Sequence, residues 1–285
     1  MNSIGFEIAY RQKLLDTFKF TIRFFESHNL RWWACGGTML GAIRHHDIIP
    51  WDDDIDIIMP RDDYNKLLDD AIDLKDSHYS LITPRDQNYY LTSAKIYDNK
   101  TTLIESRRYP FAIGVFVDIF PLDQFDYSFK EYCYLFKRYD RKARRLKLGM
   151  SRYSLSEAVY DLKSHHLGAF FYGVQSLFYP FRRRNNYRKD FLEIEQMFNV
   201  GSGRFIASPT GAYGTREFFD SSWFLETLEV PFNDFYVKVP KGFDGYLTVM
   251  YGDYMKLPPK SKRISHHNQY YIDLGLDDGI DLNNN

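Results

Sequence analysis

The chain has 285 residues, 44% of them hydrophobic and 26% charged, with a formal net charge of −1. That length holds a sizeable core, as one large domain or two small ones. The near-neutral balance excludes a global basic field, so no nucleic-acid partner is expected.

Two cysteines, Cys35 and Cys133, are too few for a disulfide scaffold and fit a reducing compartment. No apolar run approaches the roughly 18–20 residues of a membrane span. The stretch MNSIGFEIAYRQKLLDTFKF lacks the basic-then-apolar order of a signal peptide. The expectation is a cytoplasmic protein.

Residues 6–28 place Leu14, Leu15, Phe18, Ile22 and Phe25 at helical spacing, which predicts a helix ending near His28-Asn29. RWWAC reads as a short strand before Gly36-Gly37, and TMLGAIR as a short helix. DIDIIM reads as a strand, with Asp54 and Asp56 on one face and Ile55 and Ile57 on the other. RDDYNKLLDDAI reads as a helix whose acidic first turn suits the dipole. HYSLIT, LTSAKIYD, TTLIES and GVFVDIF are strand-like, with Asn99-Lys100 at a candidate hairpin turn. This order predicts an α+β protein, a mixed sheet with flanking helices rather than a regular βαβ repeat.

The character changes near residue 128. From Lys130 to Asp190 there are fifteen Lys/Arg and five Asp/Glu. This segment holds KRYDRKARRLKLG and an aromatic run flanked by His165-His166 and Arg182-Arg183-Arg184. It is either a helical insertion with a solvated basic face or an amphipathic patch that meets an anionic membrane or a polyanionic acceptor. From Tyr187 a helix runs through Phe198. GRFIAS, FLETLEV and FYVKVP are strand-like, GFDGYLTVMYG is helical, and a Pro-rich basic loop leads to His266-His267. The predicted organisation is a catalytic core over 1–127, a basic aromatic helical insertion over 128–186, and a C-terminal part over 187–285 that completes the first.

The stretch CGGTMLGAIRHHDIIPWDDDIDIIMPRDDY concentrates the chemistry. Asp-x-Asp on a strand puts two carboxylates on one side, roughly 6–7 Å apart at the backbone. Such anions repel unless neutralised, and a divalent cation with oxygen ligands is the common solution. A calcium loop is excluded, because Ile57 stands where it needs Gly and Asp63 where it needs Glu. A capping role after Pro50 suits Asp52 and Asp53 but leaves Asp54 and Asp56 unexplained. A glycosyltransferase would use the DxD to hold Mn²⁺ and a nucleotide-sugar. A nucleotidyltransferase-type site joins Gly36, Gly37 and Thr38 to the pair: glycines let the backbone approach a phosphate, and the helix N-terminus adds N–H groups and a favourable dipole. Asp118 in GVFVDIFPLD is the candidate third carboxylate. A non-catalytic glycan- or membrane-binding module is the reading from a different class.

GGTMLGAIRHHDIIPWDDDIDIIMPRDDY, with SAKIYDNKTT, VFVDIFPLD and GFDGYLTVMYGDYMKLPP before a His pair, resembles the LicD family of phosphotransferases, which includes the fukutin-related proteins. The resemblance covers residues 10–125 and 187–270; nothing in 128–186 matches a motif of it. It implies a nucleotidyltransferase-like fold similar to the DNA polymerase β superfamily. It also implies transfer of a phospho-alcohol from a CDP-linked donor to a hydroxyl of a cell-surface glycan or its lipid-linked precursor. Phosphocholine is the foremost cargo, with phosphoribitol and phosphoglycerol as others. By this resemblance Asp54, Asp56 and Asp118 are the catalytic metal ligands, for one or two Mg²⁺ (or Mn²⁺) ions. Gly36, Gly37 and Thr38 form the phosphate-binding turn, and the acceptor hydroxyl attacks the distal phosphorus in line. Arg44, Lys95, His266 and His267 are further candidates for phosphate or leaving-group contact. A lipid-linked acceptor would put the enzyme at the inner face of the cell membrane.

Overall fold

The structure is a computed structural model. It describes residues 3–69, 74, 77–109, 111–163, 166–180, 183–198, 201–265 and 269–275. His165, Arg182, His266 and His267 lie outside the described residues.

The fold is a mixed α+β arrangement around one curled sheet. Its middle strand, β6 (Phe116–Phe125), pairs in parallel with β2 (Asp56–Pro60) and antiparallel with β4 (Ala94–Asp98). Outside these lie β1 (Trp33–Ala34) on β2 and β3 (Tyr79–Ile82) on β4, both antiparallel. The far half of β6 pairs with β7 (Phe205–Ala207), which pairs with β8 (Phe218–Asp220). The strand β8 carries no sequence expectation; it is three residues long and acquires its pairing only from β7.

The first helix, α1 (Ser3–Ser27), stops at Asn29, whose φ of 53° is left-handed. Its Leu14, Leu15, Phe18, Ile22 and Phe25 are buried in one cluster with Ile57, Ala94, Ile96, Val117 and Ile119. Each such side chain contributes roughly 1.5–3 kcal/mol of burial. The opposite face carries Trp33, Ile58 and Leu122, which pack in one cluster with Met39 and Leu40 of α2 (Gly36–His45) and Tyr246, Leu247 and Met250 of α8 (Phe243–Tyr251). Because side chains alternate along a strand, Asp56 shares a face with Ile58, and Asp118 with Phe120 and Leu122. The two carboxylates therefore sit at the edge of the face that α2 and α8 cover.

Asn99-Lys100 makes a turn but not a hairpin. The Lys100 N–H donates to Asp98 Oδ1 at 2.9 Å, and the Thr101 hydroxyl to the Asp98 carbonyl at 2.8 Å. These bonds carry the chain off the sheet, and β5 (Thr102–Ile104) pairs with β11 (Tyr271–Asp273) instead of β4. A second satellite ribbon joins β9 (Thr227–Phe232) to β10 (Phe235–Pro240).

The basic region is helical: α4 (Phe129–Met150), α5 (Leu155–Lys163) and α6 (Leu167–Ser176). Ser128 and Glu131 form a reciprocal capping box at the start of α4. Helix α4 packs on α7 (Arg184–Gln196), and Tyr132, Leu135, Tyr139, Phe191, Ile194 and Phe198 share a cluster with Phe125 of β6. No helix among the described residues is long and apolar enough to cross a membrane.

Candidate active site

The site is built by sheet register. Asp56 lies opposite Asp118 in the parallel pair, and Asp118 lies opposite Lys95 in the antiparallel pair. Asp56, Asp118 and Lys95 thus form a row across three strands. The Lys95 ammonium donates to Asp118 Oδ2 at 2.9 Å and the Ser93 hydroxyl to Asp118 Oδ1 at 3.1 Å. Lys95 is also 3.6 Å from Glu105 and lies over the Phe116 ring. It is 1% exposed, so reaching a diphosphate would require breaking these contacts. Its place in the site is as the counter-charge of Asp118.

Asp56 is held from the other side. Its backbone N–H donates to Thr38 Oγ1 at 2.8 Å, and its carbonyl accepts from Cys35 N at 3.1 Å. The Thr38 hydroxyl is buried and ties α2 to β2. Helix α2 begins at Gly36, earlier than the periodicity predicts, so both glycines lie in its first turn. Gly36 has a φ of +53°, and a Cβ there would stand 3.3 Å from Asp56 Oδ2. A Cβ on Gly37 would press on the Asp52 carboxylate, which would have to turn aside. The glycines let the positive end of a helix lie directly against two carboxylates.

Asp54 departs from its expected place. The strand β2 starts at Asp56, and Asp54 precedes it. The reason is pairing: β1 covers only Ile57 and Ile58 on that side, so the ladder does not extend back to Asp54. Asp54 groups instead with Asp52 and Asp53, whose carboxylate oxygens can lie within 4.8 Å of one another. Asp52 closes a turn on the Ile49 carbonyl at 2.9 Å, and Asp53 is tied to Ser265 and Tyr10. Asp54 still acts on Asp56 electrostatically. Burial first, then the charges of Asp54, Asp118 and Asp52, push the Asp56 carboxyl well above the usual carboxylate range, against the pull of Lys95.

This donor set fits a divalent cation. Asp52, Asp53 and Asp54 can bring one hard carboxylate oxygen each within 4.8 Å of one another, and the charges of Asp54, Asp118 and Asp52 act on Asp56 beside them, offset in part by Lys95. Asp54, Asp56 and Asp118 are the expected ligands, and Asp52 and Asp53 offer a further pair of donors beside them.

Three tyrosines complete the surroundings. The Gly36 N–H donates to Tyr246 Oη at 3.1 Å, and Tyr213 and Tyr251 hydroxyls meet at 3.2 Å. Burial, and after it other charges including Asp56, raises the pKa of both Tyr213 and Tyr251. Tyr246 and Tyr251 lay within the stretch GFDGYLTVMYGDYMKLPP, so a signal for them existed; Tyr213 sits in an irregular loop with none. The Arg44 guanidinium donates to the Tyr254 carbonyl at 2.6 Å and to His45 Nδ1 at 3.3 Å. It therefore braces the segment after α8.

Residues 29–149 match the sequence profile of a family described as LicD/FKTN/FKRP, nucleotidyltransferase domain. Over that stretch the chain is similar to the LicD family domain. The LicD match runs through α4 to Gly149, leaving α5 and α6 outside it. The chain is 28% identical over 256 residues to the lipopolysaccharide cholinephosphotransferase LicD of Haemophilus influenzae, covering 86% of this chain and 89% of that protein. A short stretch of 44 residues is 46% identical to the ribitol 5-phosphate transferase FKRP of Homo sapiens, 15% of this chain and 9% of that protein. The whole row of Asp56, Asp118 and Lys95 falls inside the matched stretch.

Proposed function

We propose that this protein transfers a phospho-alcohol, phosphocholine foremost, from a CDP-linked donor to a hydroxyl of a glycan or its lipid-linked precursor. The reaction runs on a nucleotidyltransferase-like core. The observation that carries this reading is the register of Asp56 against Asp118, on the face where the N-terminal end of α2 meets Asp56. The relatives support the chemistry: one is named for cholinephosphate transfer to lipopolysaccharide and another for ribitol 5-phosphate transfer.

Asp54, Asp56 and Asp118 would hold Mg²⁺ or Mn²⁺. When bound, the ion supplies neutralisation of the donor diphosphate and of the charge that develops on the departing CMP. The chain's own groups do the rest. The first turn of α2 brings its positive end to the phosphate side. Thr38 fixes the start of β2, and Lys95 with Ser93 locks Asp118 in one orientation. Tyr213 and Tyr251, whose hydroxyls meet at 3.2 Å, lie near enough to Asp56 to feel its charge.

The test is CMP release from CDP-choline, CDP-ribitol and CDP-glycerol with Mg²⁺ or Mn²⁺, with UDP-sugars as competitors. Turnover of a CDP-alcohol that disappears in Asp56→Asn supports the reading. Turnover of a UDP-sugar alone, or an unchanged rate in that variant, overturns it.

A further inference from the structure

Helices α5 and α6 are amphipathic the wrong way round for a protein in water. On α5, Leu155, Val159 and Leu162 follow one another at i, i+4 and i+7, a single stripe, and all three are exposed, Leu155 by 83%. The buried residue of that helix is Asp161, bonded to Arg108 and to the Tyr153 hydroxyl. On α6, Leu167 and Phe171 repeat the stripe at i and i+4, and Phe178 continues it just past the helix. Phe171 is 66% exposed and Phe178 79%. Apolar area of this extent, left exposed among the described residues, is the mark of an interaction surface.

The surroundings name the partner. Lys163 follows Leu162, exposed, and Arg183 stands five residues after Phe178, also exposed. The Arg144 guanidinium reaches α6 through a 2.7 Å bond to Gln175. At the root of the helix pair lies a recess of about 590 Å³, lined by Arg107, Arg152, Ser154 and Tyr179 together with one carboxylate, Glu157. Apolar stripes rimmed by cations beside a recess with guanidinium and hydroxyl groups suit a phospholipid surface with anionic headgroups. A second copy of the chain would instead bring two surfaces from the same basic segment together, with fifteen Lys/Arg against five Asp/Glu on each, and like charges oppose that.

We propose that α5, α6 and the turn after α6 form a peripheral contact with an anionic membrane surface. This surface is physically continuous with the carboxylate row. Tyr172 of α6 meets Tyr109 hydroxyl to hydroxyl at 3.0 Å, Tyr109 stacks on Tyr90 at 3.8 Å, and Tyr90 lies within the electrostatic reach of Glu105, the neighbour of Lys95. The proposal does not depend on the catalytic reading, and it can fail or stand without it.

The experiment is co-sedimentation of the full chain with phosphatidylcholine vesicles, with and without about 30 mol % phosphatidylglycerol, at roughly 0.05 M and 0.5 M salt. Pelleting is expected with the anionic vesicles at low salt, and a several-fold loss at high salt. The variant Leu162→Ser/Phe171→Ser/Phe178→Ser changes only exposed side chains, so its thermal melt should match the parent's, while its vesicle partition falls by about tenfold or more. Lys163→Glu/Arg183→Glu should weaken binding only to the anionic vesicles. Wild-type protein that stays in the supernatant, pellets equally on pure phosphatidylcholine, or pellets undiminished in the triple variant overturns the proposal. So does light scattering that shows a dimer abolished by the triple variant in the absence of vesicle binding.

Discussion

The ammonium of Lys95 donates to Asp118 Oδ2 at 2.9 Å, buried between two strands whose register puts Asp56 on the far side of the same aspartate. Replacing Lys95 by Met leaves the Asp118 carboxylate without its counter-charge next to the other acids. Breaking a buried pair in this way costs about 3 kcal/mol. The expected result is a chemical-denaturation midpoint lowered accordingly. Added Mg²⁺ should recover more of the lost stability in Lys95→Met than it adds to the wild type, because a cation then replaces the missing ammonium.

Asp56 stands in the opposite situation. Burial and three neighbouring carboxylates work against its charge. Asp56→Asn in chelator-treated buffer should therefore raise the melting temperature, a gain of roughly 1 kcal/mol, while CMP release falls by about 100-fold or more. A variant that loses activity and stability together would show that Asp56 holds the fold rather than the chemistry.

Gly36 combines a left-handed φ of +53° with a close approach to Asp56 Oδ2. Gly36→Ala should lose about 1–2 kcal/mol from the backbone alone and should also lower transfer, because the new methyl pushes the carboxylate. Gly201 has a φ of +79° with nothing within 4 Å of a Cβ. Gly201→Ala is the control: comparable strain with transfer unchanged. Equal activity in both variants would remove Gly36 from the site.

Glu217 is buried, accepts from the Tyr213 N–H at 2.9 Å, and has its carboxyl raised by burial from 4.5 to about 7. A carboxyl held up in the folded state favours folding fully below its unfolded pKa, and that contribution is lost as pH rises through the folded value. Stability should fall by up to about 3 kcal/mol across that window. Glu217→Gln removes the titration. Melts of both proteins at pH steps from acid to neutral should diverge, with the variant flatter and more stable at the neutral end.

Arg61 forks onto Asp123 at 2.7 and 2.8 Å and reaches Glu195 at 3.0 Å, joining the start of α3 (Arg61–Asp69), β6 and α7. Arg61→Met leaves two buried carboxylates unpaired, at a cost of about 3–5 kcal/mol. Loss of soluble folded protein at neutral pH, partly rescued by Asp123→Asn, is the expected outcome.

The acidic stretch illustrates what could be read early. Alternating polarity in DIDIIM placed Asp56 towards the site, and the mid-strand position of Asp118 singled it out, because strand periodicity is a local property. The same rule misplaced Asp54, since whether a ladder extends depends on the neighbouring strand, and β1 is only two residues long. Lys95 was picked out by its residue type, but its role was not. A buried lysine and an exposed phosphate-binding lysine look alike until the strand order is known. Tyr213 was invisible, since it reaches Asp56 from a loop more than 150 residues away by way of tertiary packing. The basic region was legible as charge and aromatics. Only the structure separated α4, which joins the core, from α5 and α6, which turn apolar stripes outward.

By itself, then, the sequence determined the residue types: carboxylates on strands, glycines ahead of a helix, and a basic aromatic segment, together with the family resemblance they carry. Tertiary structure alone decided which of those groups meet. Register between β2, β6 and β4 set Asp56, Asp118 and Lys95 side by side. Pairing between strands far apart in the chain is a non-local choice, made by hydrogen bonds and packing that no short window of residues contains.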